Sequence, residues 1–184
     1  MLLYIHGFGS SGKSGKAEIL RNAFGDRIVA PSLSPIPELA VDTLEQIARC
    51  IRTSGQKLCI GGSSLGGYYA TWLAEKFDAK AFLINPAVKP YNTLASKVGL
   101  NHSYYDFSNY EFTQHHIDFL KRYDVQKITP ERYLVLLQSG DEVLDYREAF
   151  EKYQGATIDL EEGGTHGYEG LERKIEKIAS FLGC

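Results

Sequence analysis

Short apolar runs rich in β-formers alternate along the whole chain with longer runs of helical period, and each change is marked by Gly, Pro or a capping residue. Runs of the first kind are "LLYIH" (2–6), "RIVA" (27–30), "KLCIGG" (57–62), "KAFLINP" (80–86), "RYLVLLQ" (132–138) and "ATIDLEE" (156–162). Between and after them, helical period is expected over 13–24, 36–55, 65–77, 146–153 and 169–182. Such alternation predicts an α/β fold with a mostly parallel six-stranded sheet flanked by helices. "RYLVLLQ" is almost continuously apolar, as a strand covered on both faces must be. The helix over 36–55 is expected to turn Leu39, Thr43, Leu44, Ile47, Ala48 and Ile51 inward, and the last one Leu171, Ile175, Ile178 and Leu182.

One segment breaks the rule. Residues 87–129 hold no clean strand and carry eight aromatics: Tyr91, Tyr104, Tyr105, Phe107, Tyr110, Phe112, Phe119 and Tyr123. So long an excursion reads as a cap over the carboxyl edge of the sheet, with a helical structural insertion as the plainer alternative. At 184 residues the expectation is a single domain spanning 1–184.

Composition narrows the function. A net charge of −3 gives no footprint for nucleic acid. No secretory leader and no run of about 18 apolar residues is present, so neither a membrane span nor export is expected, and the cytoplasm is the default. The three cysteines have neither metal-like nor disulfide-like spacing. Cys50 and Cys59 are expected to be small buried hydrophobes, and Cys184 an exposed residue without an assignable role.

Two motifs compete. Gly7-Phe8-Gly9-Ser10-Ser11-Gly12-Lys13-Ser14 spells the phosphate loop of nucleotide hydrolases, and Gly62-Ser63-Ser64-Leu65-Gly66 spells the G-x-S-x-G nucleophile elbow. By chance the second string should occur about 0.1 times in a chain of this length and the first only about 0.01 times, so the strings alone favour the nucleotide loop. Context reverses this. A nucleotide hydrolase needs a strand ending directly in Asp to hold magnesium through water, and no strand here does so. Lys13 then reads as a solvated residue near a helix start.

The elbow needs partners, and they follow in order. A serine hydroxyl requires an imidazole to take its proton and a carboxylate to orient the imidazole, arranged along the chain as Ser, acid, His. Ser64 lies between a strand and a helix, Asp141 follows the strand over 132–138, and His166 follows the strand over 156–162. Asp145 fits better as an N-cap in Asp145-Tyr146-Arg147-Glu148, and Glu142 is expected to be a solvated carboxylate pointing away. His115 and His116 read as partly exposed cap residues, since no metal-ligand spacing accompanies them. Acyl transfer also needs two oxyanion donors, expected from the backbone NH groups of Leu65 and Phe8.

Together "YIHGF", "GSSLGGYYATWLA", "NPAVKPY", "GDEVLDYR" and "EGGTHGY" resemble the YqiA-like esterases, a compact branch of the α/β-hydrolase superfamily, over residues 4–168. The resemblance implies a small α/β-hydrolase without the first two strands of larger members. It further implies hydrolysis of carboxylic esters, and of acyl-CoA thioesters, with nucleophile Ser64, acid Asp141 and base His166; the alternative is a C-C bond hydrolase, lyase or peptidase on the same fold. The expected partner is a small-molecule acyl ester or thioester, with no cofactor and no metal. "NPAVKP" is expected only to shape the site entrance.

Overall fold

The computed structural model describes residues 1–183, so the expectation for Cys184 lies outside the described residues. Six strands, β1 (Leu2–Ile5), β2 (Ile28–Val29), β3 (Cys59–Ser64), β4 (Lys80–Pro86), β7 (Tyr133–Gln138) and β8 (Thr157–Glu161), form one sheet in the order β2-β1-β3-β4-β7-β8. Every pairing in it is parallel. Helices α1 (Gly15–Phe24), α2 (Pro37–Thr53), α3 (Leu65–Phe77) and α6 (Tyr146–Lys152) are the crossovers, and α7 (Ile175–Leu182) closes the chain.

Side-chain alternation along the strands divides the core between two faces. Leu3, Ile5, Ile60, Leu83 and Val135 face α2, α3 and α6. Leu2, Tyr4, Phe82, Ile84 and Leu136 face α1 and α7. β1 and β3 are neighbours, but the chain leaves β1 toward one side of the sheet and continues from β3 toward the other. Their carboxyl ends therefore flank a crevice where no helix covers the edge, the place where open α/β sheets collect ligands.

The segment expected to lack strands contains two. After α4 (Pro90–Thr93), β5 (Gly99–His102) and β6 (Asn109–Phe112) form a separate antiparallel hairpin, followed by α5 (Gln114–Leu120). One face of the hairpin, with Asn101, Tyr110 and Phe112, is half-buried or buried, and the other, with Leu100, His102, Asn109 and Glu111, is exposed. The strands are only four residues each and β5 turns its apolar Leu100 outward, so the alternation is too short and too mixed to read. The helix expected over 169–182 is split into a 3-10 turn (Leu171–Lys174) and α7.

α2 is rotated from the expected face. It buries Pro37, Ala40, Val41, Leu44, Ala48 and Ile51, whereas Leu39 is 51% exposed. Small Ala40 and Ala48 let this helix approach the sheet closely, an advantage that side-chain size alone conceals. The same rotation exposes Cys50, against expectation, while Cys59 is buried in β3.

Candidate active site

Ser64 ends β3 and caps α3 with φ 54° and ψ −123°, a conformation that side-chain-bearing residues rarely hold. It persists because strand and helix cross at close range. A Cβ on Gly62 would lie 2.2 Å from the Gly66 carbonyl oxygen, and one on Gly66 would lie 2.1 Å from that of Ile5. Both contacts are with backbone, so only glycine fits on either side of the turn.

The turn brings three separated residues together. His166 Nε2 is 3.1 Å from Ser64 Oγ, and His166 Nδ1 is 2.8 Å from Asp141 Oδ2 and 3.0 Å from Oδ1. Asp141 Oδ1 also accepts from the amides of Val143 and Leu144, each at 2.8 Å. Burial would raise the Asp141 carboxyl, but the hydrogen bonds from His166, Leu144 and Val143 outweigh it and hold the group below its ordinary value. The imidazole thus sits between a fixed anion and a hydroxyl, in the tautomer with Nδ1 protonated.

Other residues singled out in the sequence lie around it. Asp145 caps α6, its side chain accepting from the Arg147 amide at 3.0 Å. Glu142 is exposed but is not merely solvated, because its carboxylate accepts from the His166 amide at 2.9 Å. His115 is exposed, and His116 Nδ1 accepts from the Thr113 amide to cap α5. Among the described residues, no group of three or more His, Cys, Asp or Glu could hold a metal ion.

Sequence reasoning assigned no contact to Asn85 or Gln138. Asn85, buried at the end of β4, donates from Nδ2 to the carbonyls of Thr165 at 3.1 Å and His166 at 3.4 Å. Its Oδ1 accepts from the Gln138 amide at 3.0 Å. Gln138 Oε1 accepts from the amides of Thr165 and Glu169 at 3.2 and 2.8 Å. The loop carrying His166 is therefore tied to the ends of β4 and β7. The only sequence signal was "NP" in the block over 85–90, which marked a turn without saying what it held.

The loop after β1 runs along the other side of the serine. His6 Nε2 accepts from the Leu33 amide at 3.0 Å, so the proton is on Nδ1, which donates to the Gly7 carbonyl at 2.8 Å. Burial lowers the His6 pKa, which keeps this neutral form. The Phe8 ring packs edge-on against Tyr110 and Phe112, and its amide has no acceptor among the described residues. Leu65 is the first residue of α3, where an amide lacks an intrahelical partner. Phe8, Ser64, Leu65 and His166 all line a cavity of about 660 Å³.

The phosphate-loop string is spent on its own turn. The amides of Gly12, Lys13 and Ser14 donate to Ser32 Oγ, Ser11 Oγ and the Ser11 carbonyl at 3.1 Å each. Those amides are not free to cradle phosphate, and Lys13 is exposed.

The model of a family described as "Uncharacterised protein family (UPF0227)" matches residues 1–183. A "UPF0227 protein" of Citrobacter koseri is 24% identical over 186 residues, 98% of each chain. Among solved structures, Est1E of Butyrivibrio proteoclasticus with ferulic acid bound superposes with a TM-score of 0.75 at 13% identity, covering 98% of this chain and 87% of that one. The mouse alpha/beta hydrolase domain-containing protein 10 gives 0.70 at 15% identity, covering 99% and 89%. These likenesses establish the α/β-hydrolase fold.

Proposed function

The chain belongs to the UPF0227 family, and from that premise and the geometry around Ser64 we propose that it is a serine hydrolase that cleaves carboxylic esters and acyl thioesters. The observation that carries this reading is the His166 imidazole, hydrogen-bonded to Asp141 through Nδ1 and within 3.1 Å of Ser64 Oγ through Nε2. Est1E, a fold neighbour, has been solved with ferulic acid bound, which agrees with an acyl substrate class.

In this mechanism Ser64 Oγ attacks the carbonyl carbon as His166 Nε2 takes its proton. Asp141 holds the ring and stabilises the imidazolium. The amides of Phe8 and Leu65 receive the oxyanion, each such donor contributing about 3 kcal/mol to the transition state. His166 then protonates the departing alcohol or thiol, leaving Ser64 acylated. Water, deprotonated by the same imidazole, releases the acid. The insertion over 87–129 acts as the cap, and the apolar side chains of Leu94, Val143 and Leu144 supply the acyl pocket.

A panel of p-nitrophenyl esters and acyl-CoA thioesters, assayed with wild type and Ser64→Ala, tests the proposal. Turnover by the wild type and a loss of about four orders of magnitude or more in kcat on substitution are expected. A wild type inert toward every member, or a Ser64→Ala protein at full rate, defeats it.

A further inference from the structure

Three lysines are half-buried: Lys16, Lys152 and Lys174. Two have acceptors. Lys152 donates to the Val125 carbonyl, and Lys174 is paired with Asp159 and Glu161. The Lys16 ammonium has no hydrogen bond or ion pair among the described residues. Withdrawing a cation from water without a partner is costly, so an unpaired one at a cavity wall is a place where an anion is worth more than in solvent.

Its location gives the charge a use. Lys16 is the second residue of α1 and lines the same cavity as Ser64 and His166. An exposed second lysine, Lys97 of the insertion, lines that cavity too, and no Asp or Glu does. The charged side chains on its wall are thus cationic, set among Ile19, Leu94, Val143 and Leu144. Burial lowers the Lys16 pKa, and the charge of Asp141, with which Lys16 forms no hydrogen bond or ion pair, offsets only part of that.

We propose that Lys16, assisted by Lys97, forms an anion subsite beside Ser64, and that the preferred substrate is an ester bearing a carboxylate. This rests on the ester-hydrolase reading of Ser64 and narrows its substrate class. A single half-buried ammonium matches a monoanion; a dianionic phosphate would carry a charge that only the solvated Lys97 could meet. The apolar neighbours take the carbon chain between carboxylate and scissile carbonyl.

Three esters test the subsite: p-nitrophenyl butyrate, the p-nitrophenyl monoester of glutaric acid, and 4-butyryloxybenzoate. The second carries its carboxylate on the acyl side and the third on the leaving group. For at least one of them, Lys16→Met should lower the ratio of kcat/KM to that of the neutral ester by about 10- to 100-fold, as loss of a charge-assisted hydrogen bond implies. Lys16→Arg should retain most of the ratio, and Lys13→Met, which lies outside the cavity, should leave it unchanged. The ester that loses its advantage places the carboxylate. Equal ratios in wild type and Lys16→Met for both anionic esters overturn the subsite.

A protein that cleaves no ester defeats the nucleophile reading instead. Calorimetric binding of monomethyl glutarate, a monoanion, to full-length Ser64→Ala then decides the subsite alone. Binding weakened by about tenfold or more on adding Lys16→Met supports it, and unchanged or absent binding overturns it.

Discussion

The Tyr104 amide donates to the Gly9 carbonyl at 2.8 Å, and the Tyr104 ring lies where a Cβ on Gly9 would meet it at 2.9 Å. The hairpin of the insertion is thereby seated on the loop that presents the Phe8 amide. Gly9 also holds φ +66°, which a side chain disfavours. Gly9→Ala should lower kcat for p-nitrophenyl butyrate several-fold and cost about 1 kcal/mol of stability. Unchanged kcat, measured alongside urea unfolding, would mean that the hairpin does not hold the loop.

Asn85→Ala removes three hydrogen bonds at a residue held at φ +39° and leaves the Gln138 amide unpaired. A stability loss of about 1–3 kcal/mol is expected. Because these bonds place His166 rather than touch substrate, kcat should fall with KM nearly constant. A rise in KM at constant kcat would assign Asn85 to substrate binding instead.

His6 gives a pH dependence with a definite sign. Its folded pKa lies below the ordinary 6.5, so between the two values the unfolded chain holds a proton that the folded chain does not. Stability from this group is full above about pH 6.5 and is lost as pH falls through the folded value. Protonation at Nε2 would also break the bond from the Leu33 amide. Melting temperatures between about pH 5 and 7 should rise with pH more steeply in wild type than in His6→Asn; equal slopes would remove His6 from the account.

Equilibrium dialysis with ATP or GTP should find no retention, since the Gly12, Lys13 and Ser14 amides already have acceptors. Retention at micromolar affinity, abolished by Lys13→Ala, would restore the nucleotide reading of that loop.

The parts of this molecule legible in its sequence are those where one residue type alone meets a local demand. Gly62 and Gly66 announce the elbow because a Cβ at either would strike backbone, and the order Ser64, Asp141, His166 follows from strands whose apolar runs are unmistakable. β4 begins and ends where its run does. What stayed hidden depends on partners distant in the chain. Asn85 meets Thr165 across 80 positions, and nothing near it in sequence advertises the bond. The β5-β6 hairpin fails for another reason, since its strands are four residues each and β5 points Leu100 outward, too short and mixed a pattern to stand out.

That Ser64 is the nucleophile is tested most directly by a fluorophosphonate probe and mass spectrometry of the labelled peptides. One adduct is expected, on Ser64, formed far more slowly in His166→Ala and absent from Ser64→Ala. A wild type that takes up no probe, or takes it up equally after Ser64→Ala, would contradict the account.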